Sequence, residues 1–333
     1  MSVPATSRPE AVAGTGASTA AGSSGHWARM PERSNLVALR FFSAFVLRCG
    51  RRAARLALHP LTLYFFLFSP GPRRCVKRYL QRAIGPQMGW RDGYRLIYNF
   101  AATVLDRIFF LRGRIDLFDL RVVGNEALDA EYALGRGAFL IGAHVGSFEA
   151  VGASRQTSAD AERLRLAMLM YLENAQQIHA VLSAISDERY RPEVIPLGRP
   201  ESMLQLRDWL DAGGLAGLLA DRTLPRQDEQ EAQRGSSRTI DFLGHPTVFS
   251  DGPFRLAALL RRKAFFMAGI YLGGARYEVR FEPLADFTDV TPGDRESAIE
   301  AALQAYVRRL AALCREHPHN WFNFHDFWLE DTR

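Results

Sequence analysis

The stretch GAFLIGAHVGSFEAVGA, residues 137–153, closes an apolar run with His144 and sets Glu149 five residues later. An imidazole whose far nitrogen is held by a carboxylate has a fixed tautomer and enough basicity to take a proton from a hydroxyl. The same spacing recurs at His325 and Glu330 in HDFWLE, so spacing alone does not choose between the two pairs. Context favours His144, because GAFLIGA reads as a buried strand and His144 stands at its carboxyl end. In open α/β sheets, ligands collect at that edge.

Gly146 and Ser147 permit a tight turn into a helix that starts near Phe148. Positions five apart diverge by about 140° on an ideal helix. His144 and Glu149 can therefore meet only if the histidine lies on the preceding loop and the glutamate one turn inside the helix. His325, by contrast, sits in the aromatic stretch WFNFHDFWLE, with no strand before it and no glycine after it. Packing against the body or at a membrane surface is the expectation for it.

The elements that must position such a site follow from periodicity. From about residue 116, short apolar runs (DLRVVG, GAFLIGA, LRLAMLMY, EVIPL, GLAGLLA, AFFMAGIYL and YEVRFEPL) alternate with helical patterns at 174–186, 200–212, 252–262 and 295–316. That alternation predicts an α/β domain over 113–333, with a mostly parallel central sheet flanked by helices. The polar segment 222–239 is the one conspicuous loop, and its length points to a functional role.

The amino-terminal third is different. Residues 1–28 are rich in Ala, Ser, Gly and Thr and are expected to form a disordered tail. Residues 29–112 read as a basic, apolar helical region. Residues 1–95 hold 15 Lys/Arg against three acidic residues, while the chain as a whole carries +6, so the rest is net acidic. On a helix over 35–55, Arg40, Arg48, Arg51, Arg52 and Arg55 fall within an arc of about 120°. Leu39, Phe42, Phe45, Val46 and Leu47 cover the remaining surface. The apolar run from Leu56 to Pro70 is shorter than the ~17–25 residues of a spanning helix. A helix lying in the headgroups of an anionic membrane surface is therefore expected, as an amphipathic anchor rather than a multiple span. Nucleic acid is a poor fit, because the arginines interleave with a continuous apolar surface rather than spaced stacking platforms. The cysteines Cys49, Cys75 and Cys314 form no metal-binding spacing and are expected to be reduced thiols.

The motifs also resemble a family. GRGAFLIGAHVGSFEAVG is similar to the acyltransferases of late lipid A biosynthesis, the lauroyl and myristoyl transferases, within the wider lipid acyltransferase group marked by His-x4-Asp/Glu. GLAGLLADRTL, IDFLGHPTVFSDGPFRLAALLRRKAFFMAGIYL and HPHNWFNFHDFW resemble further blocks of that family, and the likeness extends over about residues 30–328. The closing phrase NWFNFHDFW departs from the family's Trp-x-His-Arg type, and both chain ends look more like relatives found beside aryl-polyene lipid pathways. The resemblance implies a glycerolipid-acyltransferase-like fold and transfer of a fatty acyl group from acyl carrier protein to a hydroxyl of a membrane lipid acceptor. The implied location is the cytoplasmic face of a bacterial inner membrane. It implies His144 as general base with Glu149 orienting it. Arg222, beside Asp221, or the backbone amides at Gly146 and Ser147 would receive the oxyanion or a substrate phosphate. No metal or other cofactor is implied, since a thioester is already activated. An acceptor of glycerol-phosphate or aryl-polyene type, coenzyme A as donor, or an inactive lipid-binding protein are the competing readings.

Overall fold

The computed structural model describes residues 36–154, 165–171, 193–222 and 237–328. The expected tail at 1–28, the helix at 174–186 and most of the loop at 222–239 lie outside the described residues.

Three helices come first: α1 (Leu36–Phe68), α2 (Pro70–Ile84) and α3 (Trp90–Phe110). The α/β body follows as β1 (Asp119–Val123), α4 (Glu126–Ala133), β2 (Phe139–Gly142), α5 (Phe148–Ser154), β3 (Leu166–Tyr171) and β4 (Glu193–Leu197). Next come α6 (Pro200–Asp211), β5 (Leu215–Leu219), β6 (Ser237–Phe242), β7 (His245–Ser250) and α7 (Gly252–Leu259). The last elements are β8 (Lys263–Gly273), β9 (Arg276–Asp286) and α8 (Arg295–Glu316).

Seven strands form one sheet in the order β1-β9-β8-β2-β5-β3-β4, and every neighbouring pair is parallel except β8 with β9. The mostly parallel α/β architecture expected from the alternation is thus present. β6 and β7 form a separate antiparallel hairpin, turning at Leu243-Gly244 with both residues at positive φ. Two residues at positive φ match the right-handed twist of the flanking strands.

Alternation along β2 explains why the sheet is covered on both sides. Phe139 and Ile141 enter one buried cluster with residues of α2, α6, α7 and α8. Ala138 and Leu140 enter a second cluster with residues of α1, α3, α4 and α5. A strand buried on both faces reads as an unbroken apolar run, which is what GAFLIGA is. Helices α1, α2 and α3 of the expected 29–112 region are therefore built into the body, since they supply part of both outer layers.

The basic arc expected on one continuous helix does not survive. Gly50, at φ 79 and ψ 161, breaks α1 into two helical pieces. Arg51 and Arg55 then turn inward onto the fully buried Asp106 of α3, at 2.7 and 3.1 Å. Both also donate to the Gly274 carbonyl in the β8–β9 turn, and the Tyr277 hydroxyl donates to Asp106 at 2.8 Å. A carboxylate this deep needs its full complement of donors, and these two arginines meet that demand instead of facing solvent.

Candidate functional site

The parallel register decides the site. Gly142 of β2 lies opposite Leu219 of β5. The Ala220 N–H, donating to the Gly142 carbonyl at 2.9 Å, carries that register past the strand ends. Two residues on, His144 and Asp221 therefore fall side by side at the carboxyl edge of the sheet. His144 Nδ1 lies 2.8 Å from Asp221 Oδ1, and the His144 backbone N–H donates to Asp221 Oδ2 at 3.0 Å. The Trp321 indole N–H donates to the same Oδ2 at 2.8 Å.

Asp221 thus accepts three hydrogen bonds while its side chain is only 2% exposed. Burial alone would favour the protonated acid. The His144 imidazole beside it and the bonds from His144 and Trp321 outweigh burial and hold the carboxyl well below the usual carboxylate range. An ionised carboxylate only accepts, so Nδ1 of His144 carries a proton, and in the neutral imidazole the lone pair lies on Nε2. The His144 side chain is 30% exposed, leaving room for a reacting group.

Glu149 is elsewhere engaged, so the expected His144–Glu149 contact is replaced. Its Oε1 pairs with Arg107 of α3 at 2.7 Å, and its Oε2 accepts from the Ser147 hydroxyl at 3.2 Å. Ser147 Oγ also accepts from the Ala150 N–H at 3.2 Å, closing the first turn of α5. Glu149 and Ser147 therefore fasten the loop after His144 to α3, and the carboxylate that touches the imidazole comes from another strand.

The backbone amides at Gly146 and Ser147 are also spoken for. Gly146 N–H donates to the Asn320 carbonyl at 2.9 Å, and Ser147 N–H to the Gly269 carbonyl at 2.8 Å. They are structural bonds, and the expectation that these amides receive an oxyanion is corrected accordingly. Gly146 has φ +59, and a Cβ there would lie 1.9 Å from the Gly269 carbonyl oxygen. Only glycine lets this turn approach β8 so closely.

Arg222 follows Asp221 and is partly buried. Burial pulls its guanidinium below the usual range, with Asp221 working in the opposite direction. His325, set aside on sequence grounds, feels the charges of the same groups. Burial, and after it the charge on Arg222, push its imidazole down to about 4, with Asp221 and His144 also acting on it. Trp321 and His325 come from the carboxy-terminal segment, which is stitched along this edge. Phe322 N–H donates to the His144 carbonyl at 2.8 Å, and the Asn320 side chain exchanges two hydrogen bonds with the Tyr271 backbone.

Of the residues singled out from sequence, His144, Asp221 and Arg222 come together, while Glu149, Ser147 and Gly146 build the supporting loop. A signal for the Asp221 partner was present: the runs LIGAH and LLAD both end in Ala followed by an ionisable residue. In neighbouring, in-register parallel strands those two ends must meet. Among the described residues, no group of three or more His, Cys, Asp or Glu could hold a metal ion. Comparison with known proteins finds no family model and no curated protein that matches this chain.

Proposed function

We propose that this protein is an acyltransferase that moves a fatty acyl group from the thioester of acyl carrier protein to a hydroxyl of a membrane lipid, of lipid A or related glycolipid type, at the cytoplasmic face of a bacterial inner membrane. The resemblance of its motifs to the lipid A lauroyl and myristoyl transferases suggests the reaction and a glycerolipid-acyltransferase-like fold. The observation that carries the reading is the 2.8 Å contact of His144 Nδ1 with buried Asp221 at a sheet edge, beside a part-exposed imidazole face.

In this scheme Nε2 of His144 takes the proton of the acceptor hydroxyl as its oxygen attacks the thioester carbonyl. Asp221 offsets the charge of the imidazolium that forms, the role its hydrogen bonds equip it for. Arg222 is the candidate cation for the developing oxyanion or for a phosphate on the acceptor. The carbon–sulfur bond then breaks, and the departing thiolate takes the proton back from His144. Glu149 keeps the His144 loop in place through Arg107 and Ser147.

A lipid acceptor requires the site to reach a bilayer. No described helix is long and apolar enough to cross a membrane. The second half of α1 nevertheless exposes Leu56, Leu63, Tyr64, Phe65, Leu67 and Phe68, with Trp90 of α3 also exposed. Arg48, Arg52, Arg73, Arg74 and Lys77 are exposed on the neighbouring turns. This combination suits a helix seated in anionic headgroups, with α1 as a peripheral anchor. The reading is tested by supplying purified protein, in vesicles of the producing cell's lipid extract, with lauroyl thioester of acyl carrier protein carrying a radiolabelled chain. Label should move into a lipid with the wild type and remain on the carrier with His144→Ala. Label that stays on the carrier in both would refute acyl transfer from that donor.

A further inference from the structure

Asp221 sets the tautomer of His144 only while one carboxylate oxygen faces the ring, so whatever fixes the carboxylate also fixes the imidazole. Oδ1 meets His144 Nδ1 at 2.8 Å. Oδ2 accepts from the His144 backbone N–H at 3.0 Å and from the Trp321 indole N–H at 2.8 Å. The first two donors belong to His144 itself. The third ties the pair to a distant part of the chain.

Backbone pairing and packing both aim that indole. Trp321 forms an antiparallel bridge with Val145. On either side of the bridge, the Phe322 N–H donates to the His144 carbonyl at 2.8 Å and the Gly146 N–H to the Asn320 carbonyl at 2.9 Å. The Asn320 side chain adds two hydrogen bonds to the Tyr271 backbone, so both neighbours of Trp321 are anchored. Its ring is 1% exposed and meets Tyr79, Phe327 and Phe242 edge-to-face, with centroids 4.8, 5.0 and 5.3 Å away. A cage of rings could hold a phenylalanine as well. What the indole adds is its N–H, which needs an acceptor once it is buried. Asp221 Oδ2 is that acceptor.

We propose that Trp321 is a positioning residue for His144, acting through Asp221. Its N–H turns Oδ1 toward Nδ1 and stabilises the carboxylate charge, so the proton stays on Nδ1 and the lone pair of the neutral imidazole stays on Nε2. The proposal rests on the acyl-transfer reading above. As the acceptor oxygen forms the new C–O bond, its proton goes to Nε2 and the imidazolium is held against Asp221. When the C–S bond breaks, the thiolate takes that proton back. Trp321 exchanges no proton in either step, and its whole effect passes through the carboxylate.

That route gives the test, because a residue acting through Asp221 loses its effect once Asp221 is changed. Trp321→Phe keeps a ring and loses the donor. Benzothienylalanine placed at Trp321 keeps the double ring and puts sulfur where the N–H was, so it retains the packing even if the Phe variant is destabilised. Each substitution is made alone and together with Asp221→Asn. All four proteins are assayed with the lauroyl thioester of acyl carrier protein in vesicles of the producing cell's lipid, and their melting temperatures are compared. Removing a group that orients a reacting residue typically costs about 10–100-fold. Both substitutions alone should lower kcat by at least about tenfold with KM within about threefold. In the Asp221→Asn chain the further loss should stay under about threefold, since the tautomer is already wrong there. Wild-type turnover by the benzothienylalanine protein, with His144→Ala inactive, would overturn this proposal alone. Equal losses with and without Asp221→Asn would also overturn it, assigning Trp321 to packing. Full transfer by His144→Ala would instead remove the acyl-transfer reading, and this proposal with it.

Discussion

At the scale of single residues, the partner of His144 is the point of consequence. Asp221, not Glu149, touches His144, and the two carboxylates should differ sharply on neutralisation. Asp221→Asn can donate to Nδ1 and so move the proton onto Nε2, the atom that must accept one. A loss of about 10³–10⁴ in kcat is expected. Glu149→Gln weakens only the Arg107 tie, and its loss should stay under about tenfold. Steady-state kinetics of the two variants check this, and the reverse order would contradict it. Acid stability is a second expectation. The folded imidazole of His325 is held at about 4, below its ordinary 6.5, so on acidification the unfolded chain takes that proton first. Stability from this group is complete above about pH 6.5 and falls as pH drops toward 4. Asp221, held below the ordinary carboxylate value, adds a loss of the same sign at still lower pH. The urea midpoint should therefore drop less between pH 7.5 and 5 in His325→Gln than in the wild type. Equal drops would be the contrary result. His144 was legible from sequence because a buried run ended in it. Its pairing with Asp221 was signalled only by the matching ends of LIGAH and LLAD, because the partner is 77 residues away and strand register, which the sequence does not state, brings it near.

At the scale of elements, all seven apolar runs became strands of the one sheet, since strands buried on both faces show as continuous apolar stretches. The β6–β7 hairpin was hidden, because Asp241, Gly244 and Pro246 interrupt its pattern. The fate of the arginines was hidden too. Helical spacing puts Arg51 and Arg55 on a common face, but it cannot tell solvent from Asp106. That acid is a fully buried carboxylate near the carboxyl end of α3, and it anchors α1 to α3 and to the β8–β9 turn. Asp106→Ala leaves two half-buried guanidinium groups without their counter-charge and should cost about 3–5 kcal/mol. Urea denaturation measures this; a change under about 1 kcal/mol would mean the α1 contact is carried by packing alone.

At the scale of the molecule, charge and apolar surface lie on the same part of the chain. With Arg51 and Arg55 spent internally, the proposed membrane attraction falls to the exposed aromatic half of α1 and the outward arginines around it. Replacing Leu63, Phe65 and Phe68 together by Ser should lower partitioning onto anionic vesicles by at least about tenfold, read by co-sedimentation. Unchanged partitioning would place the membrane contact elsewhere. The sequence pattern foresaw an apolar, basic amino-terminal region, but not that its helices are also walls of the α/β body. Their apolar residues divide between core and surface in a way that only packing defines.

The most direct measurement is mass spectrometry of total lipid from cells carrying the wild-type protein against cells carrying His144→Ala, with both proteins verified as folded and membrane-bound. Acyl transfer by the His144–Asp221 pair predicts a lipid lighter by one acyl group in the variant, its headgroup naming the acceptor and its mass difference the chain. Identical lipid profiles would contradict it and reduce His144 to a well-packed residue at a strand end.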